Sequence, residues 1–188
     1  PRSVILNYTN PMSAITLATA RSSRIPVVGL CHSVQESSKQ LAEYLELPYE
    51  DLAWQCAGIN HMAWFTKLEF GGRDMYPVLK NKTKDPAFMA KDPVRLDAMN
   101  YLGAFVTESS GHFSEYIPYY RKRQDLIGRH CSAGYNGATG FYADQWPVWR
   151  ERTDRQIRGL IAGERELSVD VSHEYAAVII GAMLKNTP

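Results

Sequence analysis

The chain has 188 residues, 45% of them hydrophobic and 22% charged, with a formal net charge of +1. That length allows one domain with a sizeable core, and the near-balanced charge excludes a general pull toward nucleic acid or membrane surfaces. No apolar run approaches the roughly 18 residues of a membrane helix, and the opening residues do not read as a signal peptide.

In chain order, residues 4–8 read as a short buried strand. Asn10 is a good helix N-cap and Pro11 suits a first helical position, so a helix is expected over 12–21. A second strand over 25–30 leads into Cys31-His32-Ser33, where Ser33 can cap a helix over 34–47. This β-α-β-α order predicts parallel strands with helices on a face. Asn10 and Cys31 then both follow strands, where open α/β sheets bind their ligands.

From residue 52 the pattern changes. Residues 62–70 alternate with period two, which predicts an antiparallel strand ending at the Gly71-Gly72 turn. Residues 76–79 are expected to begin a short helix, followed by a surface loop over 81–93 and a helix over 94–105. Residues 112–120 mix aromatics with one acid and one proline, and 124–140, with four glycines, reads as irregular. A long amphipathic helix is expected over 142–161 despite Pro147, and a final helix opens at 172–175 and runs to 184. The predicted fold class is α/β passing into α+β. Because buried strands need neighbours, a strand beginning almost at residue 1 leads to the expectation that this is a piece of a longer chain.

Three cysteines, Cys31, Cys56 and Cys131, form no tight pattern. An odd count argues against a disulfide scaffold and favours a reducing cytoplasm. Two short strings carry the chemistry. Cys31 and His61 each follow a glycine-marked turn in apolar sequence. A thiolate with an imidazole is a divalent-metal pair, and two ligands leave positions open for a substrate. Alone, Cys31 is as readily a small buried hydrophobe and His61 a hydrogen-bonded core histidine. No compact metal motif accompanies them.

Four ordered strings sharpen this: Asn7-Tyr8-Thr9-Asn10-Pro11-Met12, Gly29-Leu30-Cys31-His32-Ser33-Val34, Gly58-Ile59-Asn60-His61-Met62, and Gly103 to Ser110 with Thr107-Glu108-Ser109-Ser110 at its end. Together they resemble the second half of a family 4 glycoside hydrolase, near its α-galactosidase branch. The resemblance implies a C-terminal domain like that of lactate and malate dehydrogenases, preceded by the tail of a Rossmann-type sheet. Residues 1–30 would end a dinucleotide-binding domain and 31–188 would form the catalytic domain. No G-x-G-x-x-G string occurs, so most of an NAD site is expected outside this chain. The fragment alone is expected to be inactive.

The resemblance also implies a mechanism that departs from two-carboxylate glycoside hydrolysis. NAD⁺ takes a hydride from C3 of the sugar, a base removes the acidified C2 proton, and the glycosidic oxygen leaves C1 with help from an acid. Water then adds and the hydride returns. A Lewis acid is needed at the C2 and C3 oxygens.

Cys31 and His61 match the family's metal ligands, usually for Mn²⁺, although a thiolate by itself better suits Zn²⁺ or Fe²⁺. Asn10 matches an asparagine touching substrate near the cofactor, and Asn60 would help hold the sugar. His32 stands where other branches carry an aspartate; it can donate a proton to the leaving oxygen or bind a hydroxyl. The base falls in the aromatic segment, with His112, Tyr116 and Tyr119 as rivals. Expected partners are a small sugar substrate and other copies of the chain, with no nucleic acid and no membrane. The competing readings are a 2-hydroxy acid dehydrogenase-type C-terminal domain and a non-catalytic sugar-binding or assembly domain.

Overall fold

In the computed structural model, which describes residues 3–131, 141–168 and 174–186, the chain begins with a parallel β-α-β unit. Strand β1 (Ile5–Asn7) pairs with β2 (Val27–Gly29), setting Asn7 opposite Gly29. Helix α1 (Met12–Ser22) makes the crossover that a parallel pair requires. It lies close on β2: a Cβ at Gly29 would come within 2.2 Å of the Met12 sulfur and 2.8 Å of Thr16 Oγ1. Asn10 does not cap α1. Pro11 holds the N-cap position, with no side-chain cap bond. Buried Asn7 ties the loop instead. Its Nδ2 donates to Met12 O and Thr16 Oγ1, and its Oδ1 accepts from Thr9 N.

Helix α2 (Ser33–Leu45) follows β2. His32 occupies its N-cap position, so Ser33 is the first helical residue rather than the cap expected from its hydroxyl. Leu41, Ala42, Tyr44 and Leu45 bury one face. A 3-10 turn, Tyr49–Asp51, leads to the antiparallel hairpin of β3 (Leu52–Ile59) and β4 (Met62–Phe70). Strand β5 (Arg73–Asp74) continues from the turn and pairs with the far end of β4.

Helix α3 (Tyr76–Lys82) begins where a short helix is expected, but α4 (Pro86–Met89) forms inside the stretch expected to be a loop. The prolines mislead there: Pro86 sits at a helix start, and Asp85 caps it by accepting from Ala87 N at 2.9 Å. Helix α5 (Pro93–Leu102) stops short of 105, because Gly103 takes a left-handed φ of 94°. Phe105 and Val106 then form β6, which pairs with Trp64 and Phe65 of β4. Helices α6 (Ser110–Tyr116) and α7 (Gln124–His130) follow, so 124–130 is helical rather than irregular; 132–140 lies outside the described residues.

Strand β4 is thus the centre of the sheet, with β3 on one edge and β5 and β6 on the other. One core cluster packs α2, α3 and α5 on the sheet through Leu41, Phe65, Leu68, Leu79, Met99 and Phe105. A second joins Val94, Val106, Phe113 and Tyr120, with Met62 and Trp64 against it. The architecture is α/β passing into α+β, as the element order predicts.

The chain divides into two compact units, Pro1–Thr139 and Gly140–Pro188. The second contains α8 (Phe141–Ile161) and α9 (Ala176–Lys185). The expected opening of the last helix at 172–173 lies outside the described residues. Among the described residues no helix is long and apolar enough to cross a membrane. All three cysteines are unbridged.

Candidate active site

Four segments of the first unit meet at one place: the β1–α1 loop, the β2–α2 loop, the β3–β4 turn and α6. A cleft of about 610 Å³ is lined by Asn10, Asn60, His61, His112 and Tyr116 among others. A neighbouring pocket of about 300 Å³ is lined by Tyr8, Asn10, Cys31, His32, His61, Glu108 and His112. Asn10, His61 and His112 line both.

The hairpin sets His61. Ile59 pairs with Met62, so Asn60 and His61 alone make the turn. Gly58, at φ 139°, passes so close to β4 that a Cβ would lie 2.5 Å from Met62 O. His61 itself has a left-handed φ of 63°. That conformation costs an ordinary residue about 1–2 kcal/mol, and such outliers gather at functional sites.

Helix α6 supplies the opposite wall. Ser109 caps it by accepting from His112 N at 3.3 Å. Phe113, fully buried, meets Trp64 edge-on with ring centres 5.4 Å apart. This pins the helix so that residues 112 and 116, four apart, share the face toward the cleft. Their rings stack 5.9 Å apart, and His61 stacks near both, at 6.5 Å from His112 and 6.1 Å from Tyr116. The Tyr116 hydroxyl lies 3.3 Å from His61 Nδ1. His112 Nδ1 is 3.1 Å from a Glu115 carboxylate oxygen. Tyr119 lies beyond the end of α6, 61% exposed, and lines neither cavity.

On the other side, Cys31 Sγ is 3.0 Å from Ser33 Oγ. His32 stacks on Tyr8 with ring centres 5.6 Å apart. Cys31 and His61 line one pocket, and among the described residues no group of three or more His, Cys, Asp or Glu side chains is disposed around a metal position. A thiolate and an imidazole facing a cavity fit a metal whose remaining positions are left for substrate, unlike the closed four-ligand set of a structural site.

The structure adds Glu108, to which local sequence pattern assigns no role. It is 6% exposed; its Oε1 accepts from Ser109 N at 2.8 Å and its Oε2 lies 3.5 Å from His61 Nδ1. Its place inside the Thr107-Glu108-Ser109-Ser110 string was the available signal. Asn7, which holds the loop bearing Tyr8 and Asn10, likewise falls in the Asn7–Met12 string.

Comparison with known proteins decides the family. Residues 56–188 match the family 4 glycosyl hydrolase C-terminal domain, and residues 1–47 match family 4 glycosyl hydrolase. The chain belongs to glycoside hydrolase family 4.

Among family relatives, an α-galactosidase of Bacillus subtilis (strain 168) is 36% identical over 194 residues, covering 100% of this chain and 43% of the relative. An α-galactosidase of Rhizobium meliloti (strain 1021) is 38% identical over 189 residues, covering 97% and 39%. The chain therefore spans about two fifths of the length of these relatives. In structure it resembles the LplD protein of Bacillus subtilis, with a TM-score of 0.71 and 26% identity over 98% of this chain and 46% of that one. It also shares the fold of a 6-phospho-α-glucosidase from gut microorganisms, solved in complex with NAD and Mn²⁺: TM-score 0.63, 20% identity, 97% and 44% covered.

Proposed function

We propose that this chain is the metal- and substrate-binding part of an NAD- and divalent-metal-dependent glycosidase that acts on α-galactosides. Residues 1–30 close a nucleotide-binding domain and residues 31–188 form the catalytic one, in an enzyme that assembles from several copies. The observation that carries the reading is the position of the Tyr116 hydroxyl, 3.3 Å from the proposed metal ligand His61 and lining the same cleft. Family membership supports the chemistry, since its NAD-dependent members stand apart from two-carboxylate hydrolysis.

Cys31 and His61 would hold a divalent cation such as Mn²⁺, which would supply Lewis acidity to the bound sugar and the positive charge that a phenol base requires near neutral pH. NAD, when bound, would supply the hydride acceptor. Tyr116 takes the C2 proton. His32, held flat against Tyr8, gives a proton to the departing glycosidic oxygen. Asn10 and Asn60, both on the cleft wall, hydrogen-bond the sugar hydroxyls, Asn10 on the nucleotide side. His112 pairs with Glu115 and flanks the base rather than replacing it.

The α-galactoside assignment rests on identity: 36–38% to α-galactosidases against 27% to an α-galacturonidase of Bacillus subtilis. The test is an assay of the full-length protein stripped of nucleotide and metal. Hydrolysis of an α-galactoside should require both NAD⁺ and Mn²⁺ to return, and an α-galacturonide should be a poor substrate. Undiminished hydrolysis after stripping removes the cofactor reading; a preference for the galacturonide removes the substrate reading.

A further inference from the structure

We infer that Glu108 is a positioning residue for His61, fixing its ring so that Nδ1 faces inward and Nε2 is left for the metal. The inference rests on the proposed metal role of His61 and goes one step behind it.

A carboxylate only accepts hydrogen bonds, and Glu108 is almost fully buried. Its Oε1 is engaged by Ser109 N, and its Oε2 faces His61 Nδ1 at 3.5 Å. The tautomer that suits a carboxylate facing this nitrogen is the one with the hydrogen of the neutral ring on Nδ1. Tyr116 Oη approaches that same nitrogen from another side at 3.3 Å. A ring whose Nδ1 is committed inward offers only Nε2 to a cation. A metal-binding histidine oriented by a carboxylate on its other nitrogen is a recurrent device that also raises ligand basicity.

The backbone around Glu108 is held from behind. Ser37 Oγ, on α2, donates to Thr107 O at 2.6 Å. Arg95 Nη1 donates to Ser37 Oγ at 3.1 Å, and the Arg95 guanidinium is paired with Asp92 in the interior. Asp92 also accepts from Ser110 Oγ, whose oxygen receives Val94 N and Arg95 N. Ser37 stands on the helix that starts just after Cys31. The network thus fixes the Thr107–Ser110 segment to the helix following the metal cysteine, and through Glu108 orients the metal histidine.

Two measurements test this on the full-length protein. The first is the ring ¹⁵N spectrum of histidine-labelled, metal-free protein, above the ordinary histidine pKa of about 6.5. His61, assigned by its loss in His61→Gln, should be the Nδ1-protonated tautomer; the Nε2-protonated form overturns the inference and needs no Glu108 variant. The second is Mn²⁺ binding followed by the electron paramagnetic resonance signal of the unbound ion. Glu108→Gln should weaken binding about 10- to 100-fold, with Cys31→Ser as control. Loss in Cys31→Ser with wild-type affinity in folded Glu108→Gln overturns the positioning role. Unchanged binding in Cys31→Ser instead overturns the metal reading, and the tautomer then decides the role of Glu108 by itself.

Discussion

The Tyr116 hydroxyl and His61 Nδ1 lie 3.3 Å apart across 55 residues of sequence, joined by the β3–β4 turn on one side and α6 on the other. That relationship is the ground for proposing Tyr116 as the base over His112 and Tyr119. Tyr116→Phe keeps the ring stack and removes only the hydroxyl. It should lower kcat about 10²- to 10⁴-fold with little change in Mn²⁺ binding. Tyr119→Phe should stay near wild type. Steady-state kinetics of the two variants check this; equal losses would return the assignment to open rivalry.

The left-handed backbone at His61 has its own consequence. His61→Ala removes the ring but keeps a Cβ at φ 63°. His61→Gly removes both, so it should be more stable than His61→Ala by about 1 kcal/mol. Urea denaturation reads the difference, and both variants should lose Mn²⁺ binding. Equal stability would mean that the turn carries no strain.

Arg95 is paired with Asp92, both almost fully buried, and its guanidinium lies 4.6 Å from the Phe105 ring centre. Arg95→Met leaves the Asp92 carboxylate uncompensated in the interior. It should cost about 3–5 kcal/mol, read as a fall in the urea midpoint. A change below about 1 kcal/mol would show that Asp92 is satisfied by Tyr44 and Ser110 alone.

Alkaline pH should also unfold the protein from within. The Tyr76 hydroxyl donates to Phe65 O and accepts from Phe105 N. Burial pushes its pKa from 10.0 up to about 12. Burial pushes Tyr44 and Tyr120 upward as well. A raised folded-state pKa means that the folded chain holds the proton more tightly. The stabilising contribution is whole below pH 10 and drains away as pH rises to about 12. Denaturation midpoints should fall over that window, and less steeply in Tyr76→Phe. An unchanged slope in that variant would contradict the assignment.

The sequence was legible wherever one residue's chemistry and its distance from a strand were enough. Asn10, Cys31 and His61 follow strands or turns marked by periodicity, and the cavities do bring them together. It was illegible where tertiary contacts decide. Whether Tyr116 or Tyr119 faces the cleft depends on where α6 ends, and Phe113 packing against Trp64 fixes that helix. Phe105 continues the helical spacing of α5, yet it pairs with β4 once Gly103 has broken the helix. Glu108 meets a histidine 47 positions earlier, a proximity that local pattern does not encode. Pro86 and Pro93 looked like loop markers but begin helices.

The most direct test of the account is hydrolysis of an α-galactoside by the full-length protein in D₂O, with NAD⁺ and Mn²⁺ present, followed by NMR of the galactose released. Removal of the C2 proton by Tyr116 and its later replacement from solvent predict deuterium at C2 of the product. Galactose carrying only protium at C2 would contradict proton abstraction there, and with it the role given to Tyr116.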